Sequence, residues 1–273
     1  MLGKLIKYEF LATGRQLLPA YGGVLLFAVL SRIVIEIMGG FAFFAEGLVT
    51  PLLGAVFAIM MIFYGLSICG ALVLTVVLIV RRFYLNLFRD EGYLTNTLPV
   101  SVDGHIWGKL IPATCWSIVG LLVTIASVAI VFGGLIAGAI AAYGPPVDWT
   151  YFWNDVFAGV PMLLLVLLNG LVSTMAGILA FYSALSIGQL VNRHKILLAI
   201  GAYLGMSFIF SMVISIFSVV FAFGFFNYSF DVYTDIRVME GIMYAGMLGV
   251  SLIQGIIHYV IARYIMKNKL NLE

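Results

Sequence analysis

Two ionisable residues, Arg32 and Glu36, stand inside an otherwise apolar run, and their spacing of four lets the side chains meet on one helix face. A guanidinium or a carboxylate is costly in apolar surroundings unless it finds a partner or water, which makes the pair a functional candidate. Two arrangements stay open: the pair reaches polar surroundings at the end of its run, or it lines the wall of a cavity. Further polar groups in apolar sequence are Asn169, Ser173 and Thr174, then Gln254 and His258. Most such groups hydrogen-bond helix to helix, and a minority would face a ligand.

Other chemistry finds no matching residues. A phosphate-cradling Gly-x-x-x-x-Gly-Lys-Ser/Thr loop is missing, and the nearest fragment, Gly104 to Lys109, has the wrong spacing and is followed by Leu110. No His-Glu-x-x-His helix occurs, and His105, His194 and His258 are scattered, without a paired Cys and His cluster at metal-ligand spacing. The expectation is a chain that is not an enzyme and has no catalytic, cofactor-binding or metal residues of its own. The two cysteines, Cys69 and Cys115, lie in apolar runs and give no disulfide framework.

The elements that must position the polar groups follow from composition. Of 273 residues, 63% are hydrophobic and 10% charged, and the mean hydropathy is +1.15. Soluble domains have roughly 45–50% apolar and about 25% charged residues. So few charges cannot cover the surface of a water-soluble fold, so lipid must cover the rest. The predicted fold is an all-α integral membrane protein, a single transmembrane domain over 1–273. Its six apolar runs cover about 17–38, 51–80, 106–142, 156–190, 196–226 and 241–265, each reaching the ~20 residues that cross a hydrocarbon core.

Charge sets the expected orientation, because cytoplasmic loops retain Lys and Arg. Twelve of the fourteen basic residues fall on one side, among them Lys4, Lys7, Arg81, Arg82, Lys109, Arg193, Arg263 and Lys267. The opposite loops hold Arg237 with Glu46, Asp148, Asp155, Asp231, Asp235 and Glu240. Both termini are therefore expected in the cytoplasm. The net charge of +2 conceals a polarised molecule and does not point to nucleic acid. The first apolar run follows a long charged segment without a small-residue cleavage site, so it is expected to be retained.

Residues 1–16, before the first run, read as an amphipathic helix lying at the interface. Leu2, Leu5, Ile6 and Phe10 form one face and Lys4, Lys7 and Arg15 the other, with Glu9 misplaced on the apolar side. Glu9 either snorkels to water or pairs with Arg81, Arg82 or Arg89. Between the second and third runs, residues 81–105 look structured. Arg81 to Glu91 can continue the second helix, Gly92 is a natural stop, Pro99 bars one continuous helix, and Ser101 or Asp103 can cap the third. A short element, Tyr93 to Leu98, is left facing the cytoplasm.

The opening LGKLIKYEFLATGR, the loop sequence FRDEGYLTNTLPVS and the six-run layout together resemble the ABC-2-type permease subunits of ATP-binding-cassette transporters. The likeness is greatest to the small six-span subunits of Gram-positive bacteria and covers nearly the whole chain. It implies that Arg89, Asp90, Glu91, Gly92, Tyr93, Leu94, Thr97, Leu98 and Pro99 form a helix that docks on the ATPase. Lys7, Tyr8, Glu9 and Arg15 would belong to the surface helix beside it. The bare alternative is a loop that only caps two helices.

The same resemblance implies a plasma-membrane exporter in which this chain, a second identical or different permease copy and two cytoplasmic ATPase subunits work together. ATP and Mg would bind in the ATPase. Arg32, Glu36, Asn169, Ser173 and Gln254 would then be candidates for the translocation path. A path with so few charges suits a hydrophobic or amphipathic peptide, drug or lipid. The segment Asn227 to Glu240 is shorter than the outer gate of larger relatives, and its Tyr228, Phe230 and Tyr233 read as interface anchors. Two other classes stay open: an ion-coupled secondary transporter, which needs ionisable groups at the midplane, and a non-transporting sensor or toxin-immunity protein.

Overall fold

A computed structural model describes residues 2–41, 49–88, 100–144, 148–191, 193–231 and 236–269. Those residues form six long helices: α1 (Leu2–Phe41), α2 (Val49–Phe88), α3 (Val102–Tyr143), α4 (Trp149–Gly188), α5 (Lys195–Asp231) and α6 (Ile236–Asn268). Each is long and apolar enough to cross a membrane. At 1.5 Å per residue a 40-residue helix is about 60 Å long, twice the ~30 Å hydrocarbon core. Every helix therefore has turns to spare beyond its apolar run. Large apolar side chains cover the outside: Leu52, Leu164 and Phe208 are each more than 60% exposed. That surface would not be tolerated in water and is the ordinary surface of a helix in lipid.

Local signals explain the helix ends. The Ser101 hydroxyl accepts the Gly104 N–H at 3.2 Å, so Ser101 caps α3 and leaves the Asp103 carboxylate for other work. Asp148 caps α4 by accepting the N–H groups of Thr150 and Tyr151. Between α4 and α5, His194 takes φ 58°, a left-handed conformation that His enters more readily than bulkier residues. Prolines lie within three helices, at Pro19, Pro112 and Pro161, without ending them.

Two boundaries differ from those read in the sequence. The first 16 residues are not a separate element, because α1 runs from Leu2 to Phe41 without interruption. Gly14 and Pro19 flank that boundary, yet the helix continues through both, since a formed helix extends more cheaply than a new one nucleates. The segment from Asn227 is helical at both its ends, within α5 to Asp231 and within α6 from Ile236. The side chains of Tyr228, Phe230 and Tyr233 lie outside the described residues, as do those of Glu46, Asp231, Asp235 and Arg237.

The helices divide into two compact units. One comprises residues 7–79 and 115–147, which hold most of α1, α2 and α3. The other comprises residues 1–6, 80–114 and 148–273, which is α4, α5 and α6 with the remaining ends of the first three helices. In the first unit Leu17, Tyr21 and Val24 of α1 bury against Ala71 and Leu78 of α2 and Trp116 of α3. The Trp116 ring stacks on Phe10 with centroids 4.8 Å apart, and its indole N–H donates to the Phe10 carbonyl at 3.2 Å. A Cβ at Gly14 would collide with that ring, so glycine is what admits it. The Tyr21 hydroxyl donates to the Trp116 carbonyl at 3.0 Å and lies 3.0 Å from the Thr75 hydroxyl. Farther along, Tyr64 and Ser127 meet at 2.9 Å. In the second unit α4 packs chiefly on α6, where Gly255 lies against Ala176, and also on α5.

Candidate functional site

The most elaborate polar construction is in the α4–α6 unit, at the end where α2 stops, α3 starts and α6 carries Arg263 and Lys267. Asp103, in the first turn of α3, accepts hydrogen bonds from two side chains of α6. The Tyr259 hydroxyl donates to its Oδ1. The Arg263 guanidinium forms a two-pronged ion pair, Nε to Oδ1 at 2.7 Å and a terminal nitrogen to Oδ2 at 3.0 Å. Two-pronged pairing fixes orientation as well as distance, which a single contact between flexible side chains does not. The Trp107 ring leans on Tyr259 with centroids 6.1 Å apart. Asp103 precedes the apolar run of α3, and the Tyr259 hydrogen bond, aided by Arg263 and Lys267, holds its carboxyl below the usual carboxylate range.

The end of α2 is fastened as firmly by a different chemistry. Phe83 is fully buried and stacks face to face on Tyr182 of α4, with centroids 3.7 Å apart and planes 7° from parallel. Leu87, one turn on, is also fully buried. Residues 89–99 are therefore bracketed by two anchored helix ends, α2 held to α4 and α3 held to α6. Just beyond Asp103 on α3, His105 and Lys109 are both buried, and the Leu5 side chain of α1 fills the space that a Cβ on Gly108 would take.

Deeper in the unit the polar groups are few and mostly paired. Ser173 of α4 meets Ser251 of α6 at 2.9 Å and donates to Asn169 Oδ1 at 3.4 Å. These three residues, with Phe217 of α5 among others, line a cavity of about 140 Å³. Gln254 follows Ser251 by three residues on α6 and is partly buried. Nearer the anchored end, Ser183 bonds to His258 Nδ1 at 2.9 Å. The other ring nitrogen of His258 is buried without a hydrogen-bond partner, and Phe210 of α5 flanks the ring. At the opposite, acidic end, Asp155 and Glu240 border a pocket of about 370 Å³ between α4 and α6. Among the described residues no group of three or more His, Cys, Asp or Glu could hold a metal.

This chain matches no family model, and no curated protein or solved structure is detectably similar to it. The reading of the site therefore rests on its residues.

The residues singled out in the sequence fall into three groups. Arg89, Asp90, Glu91, Gly92, Tyr93, Leu94, Thr97, Leu98 and Pro99 lie outside the described residues. Lys7, Tyr8 and Arg15 are exposed on α1 and Glu9 is partly buried there, with the Glu9 carbonyl accepting the Thr13 hydroxyl at 2.8 Å. Arg32 and Glu36 do pair on one face of α1. Arg32 also reaches the Val131 carbonyl of α3 at 3.5 Å, over Gly134, whose missing side chain gives the guanidinium its place. Gly134 thus serves a cation rather than the close helix approach its spacing with Gly138 suggests. Asn169 and Ser173 are brought together at one cavity of the α4–α6 unit, whereas Arg32 and Glu36 belong to the α1–α3 unit.

Sequence reasoning missed the cluster of Tyr259, Arg263 and Trp107 about Asp103 and the Phe83–Tyr182 stack. Arg263 was legible as a basic residue near the chain's end and Asp103 as a possible cap. Nothing local joins positions 160 residues apart.

Proposed function

We propose that this chain is a multi-pass permease subunit of the plasma membrane, moving a hydrophobic or amphipathic substrate outward at the expense of ATP hydrolysed by a separate subunit. A second permease copy and two cytoplasmic ATPase subunits complete the transporter, and residues 89–99 form the contact with the ATPase. The observation that supports this reading most is the pair of anchored helix ends on either side of that segment. A displacement of 89–99 is passed to α4 through Phe83 and Tyr182 and to α6 through Asp103, Tyr259 and Arg263. Close-packed rings and a two-pronged ion pair transmit displacement because neither yields without losing its contacts.

Purification from the native host in mild detergent, followed by identification of the accompanying chains, tests the proposal. An ATPase subunit with a phosphate-cradling loop is expected with the wild-type chain and absent after Tyr93→Ala with Leu98→Ala. Recovery of the same ATPase with that double variant, or transport that continues without any ATPase, would overturn it.

A further inference from the structure

Besides the polar cluster, the α4–α6 unit has a groove that no step of the proposed coupling uses. Its volume is about 220 Å³, its walls are apolar, and α4, α6 and Trp107 line it. The floor is small, with Gly255 facing Ala176. Leu252 and Ile256 form a rim, 46% and 60% exposed, so the groove opens on the face turned to lipid. Ser251 to Tyr259 span about 12 Å along α6, which makes the groove elongated along the bilayer normal.

The two ends of the groove differ. Toward the middle of α6 the lining is apolar apart from Ser251, whose hydroxyl is taken by Ser173. Toward the end of α6, Trp107 and Tyr259 close the groove, the pair of residue types that settles at the headgroup level. One turn beyond Tyr259 is Arg263 and one turn beyond that Lys267, both exposed. Asp103 takes up only part of the Arg263 guanidinium, whose five N–H donors exceed the two contacts it makes there. One carboxylate against two cations leaves this mouth positive. An apolar slot that ends in aromatic rings and then in surplus positive charge has the same order of parts as an anionic phospholipid.

We infer that this groove holds one acyl chain of an anionic glycerophospholipid whose phosphate is bound by Arg263 and Lys267. The inference needs the membrane-spanning part of the proposed function and is independent of any ATPase. The lipid would brace α4 against α6 where α6 meets Asp103.

Native mass spectrometry of the detergent-purified chain, titrated with dioleoylphosphatidylglycerol or dioleoylphosphatidylcholine, tests it. The wild-type chain should retain one phosphatidylglycerol at least about tenfold more tightly than phosphatidylcholine. Lys267→Gln, which spares the Asp103 ion pair, should weaken phosphatidylglycerol about fivefold, on the scale of one basic residue near an anionic surface. Arg263→Gln with Lys267→Gln should remove the preference, and Ile256→Trp, a rim change facing lipid, should reduce retention of both lipids by filling the slot. Equal retention of the two lipids by the wild-type chain would overturn the inference, as would a preference undiminished by Lys267→Gln, or phosphatidylglycerol retention untouched by Ile256→Trp. Glycerol 3-phosphate bound as tightly as phosphatidylglycerol would also overturn it, by showing a soluble-anion site without an acyl chain.

Discussion

The α1–α3 unit and the α4–α6 unit both bury polar groups among apolar helices, yet the surroundings of those groups differ. In the first, each tyrosine hydroxyl that enters the core meets a partner on another helix, Tyr21 with Thr75 and the Trp116 carbonyl, Tyr64 with Ser127. In the second, the Ser173 and Ser251 pair borders a cavity and one nitrogen of His258 is left without a partner. The Ser31 hydroxyl of the first unit is likewise buried without a partner, so the difference rests on the cavity beside Ser173 and Ser251, which leaves room for another arrangement. The cross-helix tyrosine bonds hold the core of the first unit, and the cavity in the second leaves space for side chains to move.

The largest expected effect is in the tyrosine-bonded core of the first unit. Trp116→Ala removes a buried ring, its stacking on Phe10 and an indole hydrogen bond, and should destabilise by about 3–5 kcal/mol, read as a fall in the unfolding midpoint in detergent. A comparison of two hydroxyls sharpens the contrast. Tyr21→Phe should cost about 1 kcal/mol, because it leaves the Trp116 carbonyl without that donor. Ser173→Ala, beside a cavity, should cost less than about half as much. Equal losses in these two variants would remove the distinction between the units.

Acid titration bears on the anchored end. The folded-state pKa of Asp103 is depressed, so its ion pair contributes stability above the ordinary carboxylate range, and that contribution is lost as pH falls through the folded value. Wild-type stability should therefore decline on acidification more than that of Asp103→Asn, measured as thermal midpoints from neutral to acid pH. The smallest effect is expected for Glu36→Gln. Glu36 is 64% exposed, and an exposed pair of this spacing contributes under about 0.5 kcal/mol. A larger loss would mean that the pair is enclosed and would favour a role for Arg32 in a path.

Much of the fold was legible in advance for a simple reason. Apolar runs of sufficient length must be helical in lipid, since the backbone has no other way to satisfy its hydrogen bonds there. The runs about 51–80 and 106–142 fall inside α2 and α3, and Ser101 caps as one of the two candidates named for α3. What escaped was where helices stop and which side chains meet. No composition signal says that α1 continues through residue 16. Nor does any local signal say that Gly134 of α3 seats the Arg32 guanidinium of α1.

The sequence alone determined six long apolar helices and a marked charge asymmetry between their ends, because hydropathy and charge act residue by residue. The tertiary structure decided that Arg32 reaches the Val131 carbonyl of α3, that Asp103 ties α3 to α6, and that Phe83 ties α2 to α4. Those contacts join residues about 100 to 160 positions apart, and only the packing of one helix on another brings them within bonding distance.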